Sequence, residues 1–174
     1  MISTFKKGTL YISVFDWGRK AMGLITDQLQ ELQALLYKEI PITKHLHLTV
    51  GAYNEHALRL DAPLAENVNH AGTAFGGSLS ALLTLAGWSM AWFVLQESKL
   101  SGEIVIQDSS CKYLRPVKQD FSAICYRPPA AQIIRFDKML RTHKKARLEL
   151  QAEIHESNTL SVTFQGRYVV FLQD

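Results

Sequence analysis

Only two cysteines, Cys111 and Cys125, occur among the 174 residues, too few for a disulfide framework. Neither has neighbours at metal-ligand spacing, so no metal site is expected. Free thiols and a cytoplasmic setting follow, with no bound cofactor. Charge of one sign is scarce as well: 19 Lys and Arg against 16 Asp and Glu leave a net charge of +3. That balance lacks the basic stripe of a dedicated nucleic-acid binder. Low-complexity tracts, internal repeats and Pro/Gly-rich linkers are missing, so one domain with one core is expected.

The N-terminus lacks a secretion signal. Its apolar run "TLYISVF" is short, and Asp16, Arg19 and Lys20 stand where a small-residue cleavage site would lie. Residues 1–24 therefore read as a loosely ordered extension, with Met22 a candidate start, ahead of a single domain over 25–174.

The patterned segments follow. "TDQLQELQALLYKEIP" predicts a helix from Thr26 to Ile40, with Leu29, Leu32, Leu35 and Leu36 on one stripe and Pro41 as its stop. Alternation at Leu46, Leu48, Val50 and then at Leu58, Leu60, Ala62, Leu64 predicts two half-buried strands joined near "YNEH". A second helix spans Ser78 to Gln96 and is apolar all round, so something must enclose it. "EIVIQDSSCKYLRPV" predicts a long strand that we place centrally, and "DFSAICYR" another. Pro128 and Pro129 open a short helix through "AAQIIRFDKMLR". Two strands of period two close the chain around a turn at "ESNT". Six mostly antiparallel strands and one enclosed helix predict an α+β fold, a sheet curled around that helix.

"NVNHAGTAFGGSL", Asn67 to Leu79, leads into the apolar helix, and from Ala71 to Gln96 no charged residue occurs. A membrane span of about 20 apolar residues is one reading. However, Gly72, Gly76, Gly77, Ser80, Thr84, Gly87 and Ser89 interrupt the run, and no basic residue flanks it before Lys99. A nucleotide loop is a second reading, but the segment has neither the G-x-x-x-x-G-K-[ST] nor the G-x-G-x-x-G pattern. The third fits best. Glycines ahead of a helix let a ligand reach its first N–H groups, which carry partial positive charge and could hold a developing oxyanion. Gly72, Gly76, Gly77 and Ser78 are the residues so placed.

The motif "N-x-N-H-A-G-T-A-F-G-G-S-L", with "L-A-G-W" at Leu85 to Trp88 and "Y-L-R-P" at Tyr113 to Pro116, resembles the hot-dog-fold thioesterases. The likeness is closest to domains of the YiiD C-terminal type and covers roughly Leu24 to Phe171. Such domains are elsewhere fused behind an acetyltransferase; the residues ahead of Leu24 leave no room for one. The resemblance implies a homodimer, or a larger assembly of dimers, whose two sheets join. It also implies active sites between subunits and acyl-CoA or acyl carrier protein as the source of the thioester. It makes Asn69 and His70 candidates for orienting carbonyl or water, with Asn67 and Phe75 as further substrate contacts.

One departure matters. Relatives carry a carboxylate about two turns into the helix after "GG", where this chain has Thr84, a residue that can hold water but cannot take its proton. Asp108, in the polar run "QDSS", is therefore the candidate base, with Glu66 and His70 in reserve. The basic run "RFDKMLRTHKKAR" offers Arg141 and Lys144 to coenzyme A phosphates, and Arg115 is a further contact. The function these residues point to is thioester hydrolysis. A hydratase or dehydratase, and an acyl-thioester binder without turnover, remain the alternatives.

Overall fold

The computed structural model describes residues 14–172, with side chains from residue 26 onward. Residues 1–13 of the expected extension lie outside the described residues; from Val14 the backbone is helical. Helix α1 (Val14–Glu39) thus begins ahead of Thr26 and ends where expected, before Pro41. Pro41 does more than stop it, because a short helix α2 (Ile42–His45) starts directly after it. Leu46 and Leu48, expected in a strand, lie instead in the connection beyond α2, and both are buried there. Their alternation reflects a turn that points both side chains inward; the strand starts at Thr49.

Six strands form one antiparallel sheet: β1 (Thr49–Tyr53), β2 (Ala57–Ala62), β3 (Gly102–Tyr113), β4 (Phe121–Tyr126), β5 (Lys145–Glu156) and β6 (Thr159–Leu172). Their order is β1-β2-β4-β5-β6-β3. The β5–β6 hairpin turns through Ser157 and Asn158, both at positive φ, which matches the right-handed twist of its strands. One expectation needs correcting. The polar strand β3 is not central but lies at the sheet edge, pairing only with β6. Most of its residues are exposed on both faces, which is why a strand can carry "QDSS" there without buried partners.

Helix α3 (Gly76–Glu97) lies against this sheet and supplies much of the core, as the resemblance implies. It is long and apolar enough to cross a membrane by composition, but 72% of that apolar window is buried inside the fold. Leu82, Leu83 and Phe93 are fully buried, each contributing about 1.5–3 kcal/mol. At its C-terminal end Tyr53 stacks on Phe93, and the Tyr53 hydroxyl, Glu97 and Arg127 bond one another. Burial alone would raise the Glu97 carboxyl, but the Arg127 guanidinium and Tyr53 hydroxyl hold it below its ordinary range. That cluster ties β1 and the end of β4 to the helix.

The "LAGW" stretch has a packing reason. Tyr168 of β6 is fully buried and donates its hydroxyl to the Thr84 carbonyl at 2.7 Å, crossing the helix at Gly87. A Cβ at Gly87 would sit 2.2 Å from the Tyr168 oxygen and 2.5 Å from its ring. Gly87→Ala gains up to about 1 kcal/mol of helix propensity. It loses about 1–3 kcal/mol to overpacking and about 1 kcal/mol with the displaced hydrogen bond. The net should be a loss of about 1–3 kcal/mol in urea unfolding. Tyr168→Phe should cost less in the Gly87→Ala background than alone, since the clash and the bond share one oxygen. An unchanged midpoint for Gly87→Ala would show that Tyr168 is not pinned there.

Candidate active site at the start of the central helix

A single turn of 3₁₀ helix (Ala65–Asn67) leads from β2 into the motif loop, and Val68 bridges Ala74 across it. Asn69 organises this loop. Its Oδ1 accepts the Ala71 and Thr73 N–H groups at 2.8 and 3.2 Å, while its Nδ2 donates to Thr73 Oγ1 at 2.9 Å. Those bonds occupy the amide, so in this conformation Asn69 shapes the loop rather than facing a ligand. Gly72 takes φ +72, the left-handed region that closes the turn. His70 is exposed in this loop.

Asn67 lies beneath the loop with 1% of its surface exposed, donating to the carbonyls of Leu46 and Pro63 at 3.0 and 2.8 Å. The expectation that it contacts substrate is therefore corrected: its side chain pins loop to core, and a ligand at the surface does not meet it.

Helix α3 begins with Phe75 in extended conformation at the cap and no side chain bonded over its first turn. The first bond to close is Leu79 N–H to the Phe75 carbonyl at 3.0 Å. Among the described residues no acceptor meets the N–H groups of Gly76, Gly77 or Ser78. These three orphan donors, at the positive end of the helix dipole, point into a region that is open at Gly77. The Phe75 ring folds over the same turn, 56% exposed, and a Cβ at Gly77 would come within 2.2 Å of it. Glycine at that position keeps ring and helix start together.

The rest of the mouth comes from β3, and sequence reasoning missed it. Tyr113 donates its hydroxyl to the Gly76 carbonyl at 3.0 Å. Burial raises its pKa, with smaller effects from hydrogen bonds to Cys111 and Ser80, so it stays a protonated donor at neutral pH. Ser80 itself bonds the Gly77 carbonyl at 3.0 Å. Ser80, Ala81, Thr84 and Trp88 form the one partly uncovered stripe of α3, at helical spacing, running from the mouth beside β3. Trp88 closes it by donating to the Ile104 carbonyl of β3 at 3.0 Å. Thr84 thus lies on the partly uncovered stripe. The available signals were "Y-L-R-P" and the two-residue offset of Cys111 from Tyr113 along one strand.

Asp108 is placed differently. Opposite residues of an antiparallel pair share a face. Ile106 opposes Tyr168, which points to α3, whereas Asp108 opposes Arg167 across a bulge. Arg167 and its partner Glu149, 2.9 Å apart, alternate with inward residues and lie on the outer face. Asp108 is therefore exposed on the side of the sheet away from α3, and the chain does not bring it to its own Gly76–Ser78 turn. Glu66 is exposed and sits 3.9 Å from His47. Cys125 is buried and its thiol is pushed up to about 12, an inert packing group. Arg115 is exposed on the segment whose Val117 carbonyl accepts the Ala74 N–H, so it flanks the mouth. Arg141 bonds Asp137 and the Ser98 carbonyl, and Lys144 caps α4 (Ala130–His143); both are remote in the fold from the motif loop.

Residues 29–172 match the family described as "Putative thioesterase (yiiD_Cterm)". Among solved structures, a protein of unknown function from Chlorobaculum tepidum TLS is 30% identical, with 86% of this chain and 97% of that one covered and a TM-score of 0.82. A "putative thioesterase" from Shewanella oneidensis is 27% identical over 84% of this chain and 99% of its own, with a TM-score of 0.77. A thioesterase from Haemophilus influenzae shares the fold at 20% identity, covering 84% of this chain and 92% of that one with a TM-score of 0.64. With the sheet, the enclosed helix and the uncapped glycine turn already in place, the chain belongs to this thioesterase family and adopts the hot-dog fold.

Proposed function

We propose that the protein hydrolyses acyl thioesters of coenzyme A or of an acyl carrier protein, in the cytoplasm, at the mouth formed by Gly76–Ser78. The observation that carries this reading is the set of three backbone donors without acceptors at the open N-terminus of α3. A thioester carbonyl oxygen placed there gains hydrogen bonds that strengthen as it becomes an oxyanion; such a donor is worth about 10²–10³ in rate. Water held by the hydroxyls of Ser80 and Thr84 adds to the carbonyl carbon. The C–S bond then breaks, the acyl group leaves as carboxylate, and the thiolate takes up a proton. Phe75 lines the acyl entrance, and Arg115 is placed to meet an anionic part of the carrier.

The reaction also needs a proton acceptor. Among the described residues no carboxylate of the chain stands beside Gly76–Ser78, and His70 is the titratable group of the motif loop itself. This supports water attack on a polarised carbonyl, with His70 as the assisting base. The same shortage favours the second reading, an acyl-thioester binder without turnover.

A second copy of the chain belongs in the site. Among the described residues no strand pairs with the outer edge of β3, and Val105 (47% exposed), Ile106 (38%) and Tyr113 (52%) stand along this strand. A partner strand would satisfy those backbone groups and cover the open stripe of α3.

Three outcomes check these readings. With a panel of acyl-CoA substrates, thiol release should exceed the uncatalysed rate; stoichiometric binding without release would favour the binder instead. Asp108→Asn should change kcat less than tenfold, well short of the 10²–10⁴ that a lost general base costs, whereas His70→Ala should lower it by about that amount. The reverse pattern would return the base to Asp108, supplied by the partner subunit. By light scattering the protein should be a dimer or a multiple of one, and Val105→Lys should shift it toward monomer with loss of hydrolysis. A wild-type monomer would remove the partner from the site.

A further inference from the structure

The basic run carries a second feature, separate from the mouth. β4 pairs with β5 only from Ala152 to Ile154, so the first half of β5 has no strand on that side. Helix α4 takes the vacant place, held by Gln132 Nε2 donating to the Glu149 carbonyl at 3.0 Å, with Phe136 and Leu140 buried beneath it. Because a helix is wider than a strand, a groove of about 1000 Å³ remains between α4 and the outer face of β5, β6 and β3. Cavities of this size accept organic ligands rather than single ions.

Its charge is lopsided. Arg127, Arg135, Lys145, Arg147 and Arg167 line it against the carboxylates Asp108 and Glu149. Arg127 is engaged by Glu97 and Arg167 by Glu149. Arg147 bonds only the neutral amide of Gln107, at 3.0 Å, and Lys145 lies 4.8 Å over the Phe171 ring. Among the described residues Arg135 has no carboxylate partner. Three cations, from α4 on one side and β5 on the other, thus face a groove in which Asp108 is the remaining carboxylate. Met139, 43% exposed, gives the α4 wall an apolar contact. Guanidinium groups match phosphate oxygens two bonds at a time and stack on planar rings, which an ammonium cannot do. Of the run, Arg141, Lys138 and Lys144 lie outside the groove.

We propose that this groove binds a phosphorylated ligand of nucleotide size, its phosphates between Arg135 and Arg147 and its ring against Met139. The site stands on the sheet face away from α3 and does not depend on the hydrolytic reading. The same chemistry is offered by the nucleotide end of a coenzyme A thioester and by a free nucleotide.

Calorimetry with ADP at an ionic strength of about 0.1 M, using the intact protein, tests it. ADP should bind the wild type, and Arg135→Glu with Arg147→Glu should weaken it at least tenfold, while inorganic phosphate binds far more weakly. Lys138→Glu with Lys144→Glu makes the same change in net charge outside the groove and should leave ADP binding within about threefold, since exposed charges are screened over about 10 Å. Should the double glutamate variant fail to fold by circular dichroism, Arg135→Gln with Arg147→Gln gives the same comparison. The proposal is overturned if millimolar ADP does not bind, or if the two charge reversals weaken it equally. Where it holds, a rise in KM for acyl-CoA with added ADP assigns the groove to the nucleotide end of the substrate; an unmoved KM assigns it to a free nucleotide. Absence of hydrolysis would overturn the proposed function and leave the calorimetric result standing.

Discussion

Everything in this fold follows from a helix that has no polar side. Between Gly76 and Gln96 α3 carries no charge, so every face needs an apolar cover. A flat sheet covers one face of a helix; only a sheet that curls around it covers most of the circumference. The long β5 and β6 strands and the register of their hairpin supply that curl. Where cover is incomplete, on the stripe of Ser80, Ala81, Thr84 and Trp88, the residues become small, hydroxylic or hydrogen-bonded. The open stripe and the unpaired edge of β3 adjoin, so one deficiency, an uncovered side, marks both the mouth and the expected place of a partner.

The start of α3 couples stability to chemistry. A buried helix terminus must have its first N–H groups satisfied; this one leaves three at the surface with no acceptor among the described residues. Glycine serves two separate ends there. At Gly72 it permits the left-handed turn, and at Gly77 it lets the Phe75 ring lie against the helix. The asparagines that precede it hold the loop so that the donors remain open. Their hydrogen bonds are spent within the loop and core, so in the proposed reaction recognition falls to backbone groups, Tyr113 and the hydroxyls.

The sequence and its structure divide unevenly. Periodicity located α3, β2, β4, α4 and the terminal hairpin to within a few residues, because each has a single apolar face or none that is polar. It misplaced the start of β1, since Leu46 and Leu48 are buried from a turn after Pro41 rather than from a strand. It also read β3 as central. Edge position is set by which strands pair, and β3 carries its polar run because no strand covers it. The motif pointed to the mouth through its glycines, but a one-residue bulge near Gln107 decides which face Asp108 takes, and alternation alone does not reveal bulges.

By itself the sequence determined the local matters: where a helix must be enclosed, where glycine opens its N-terminus, and which family the motif resembles. These depend on residues adjacent in the chain or spaced by one turn. The tertiary structure decided what meets across the fold. It put Tyr113 over Gly76 and Tyr168 over Gly87, and it sent Asp108 to the outer face. It also drew Arg135 and Arg147 to opposite walls of one groove, while Arg141 reached the Ser98 carbonyl at the end of α3. The physical reason for the strand residues is pairing register: the places of Tyr113, Tyr168, Asp108 and Arg147 depend on how β3, β5 and β6 align with residues far along the chain, and a shift of one residue would move each of these side chains to the other face.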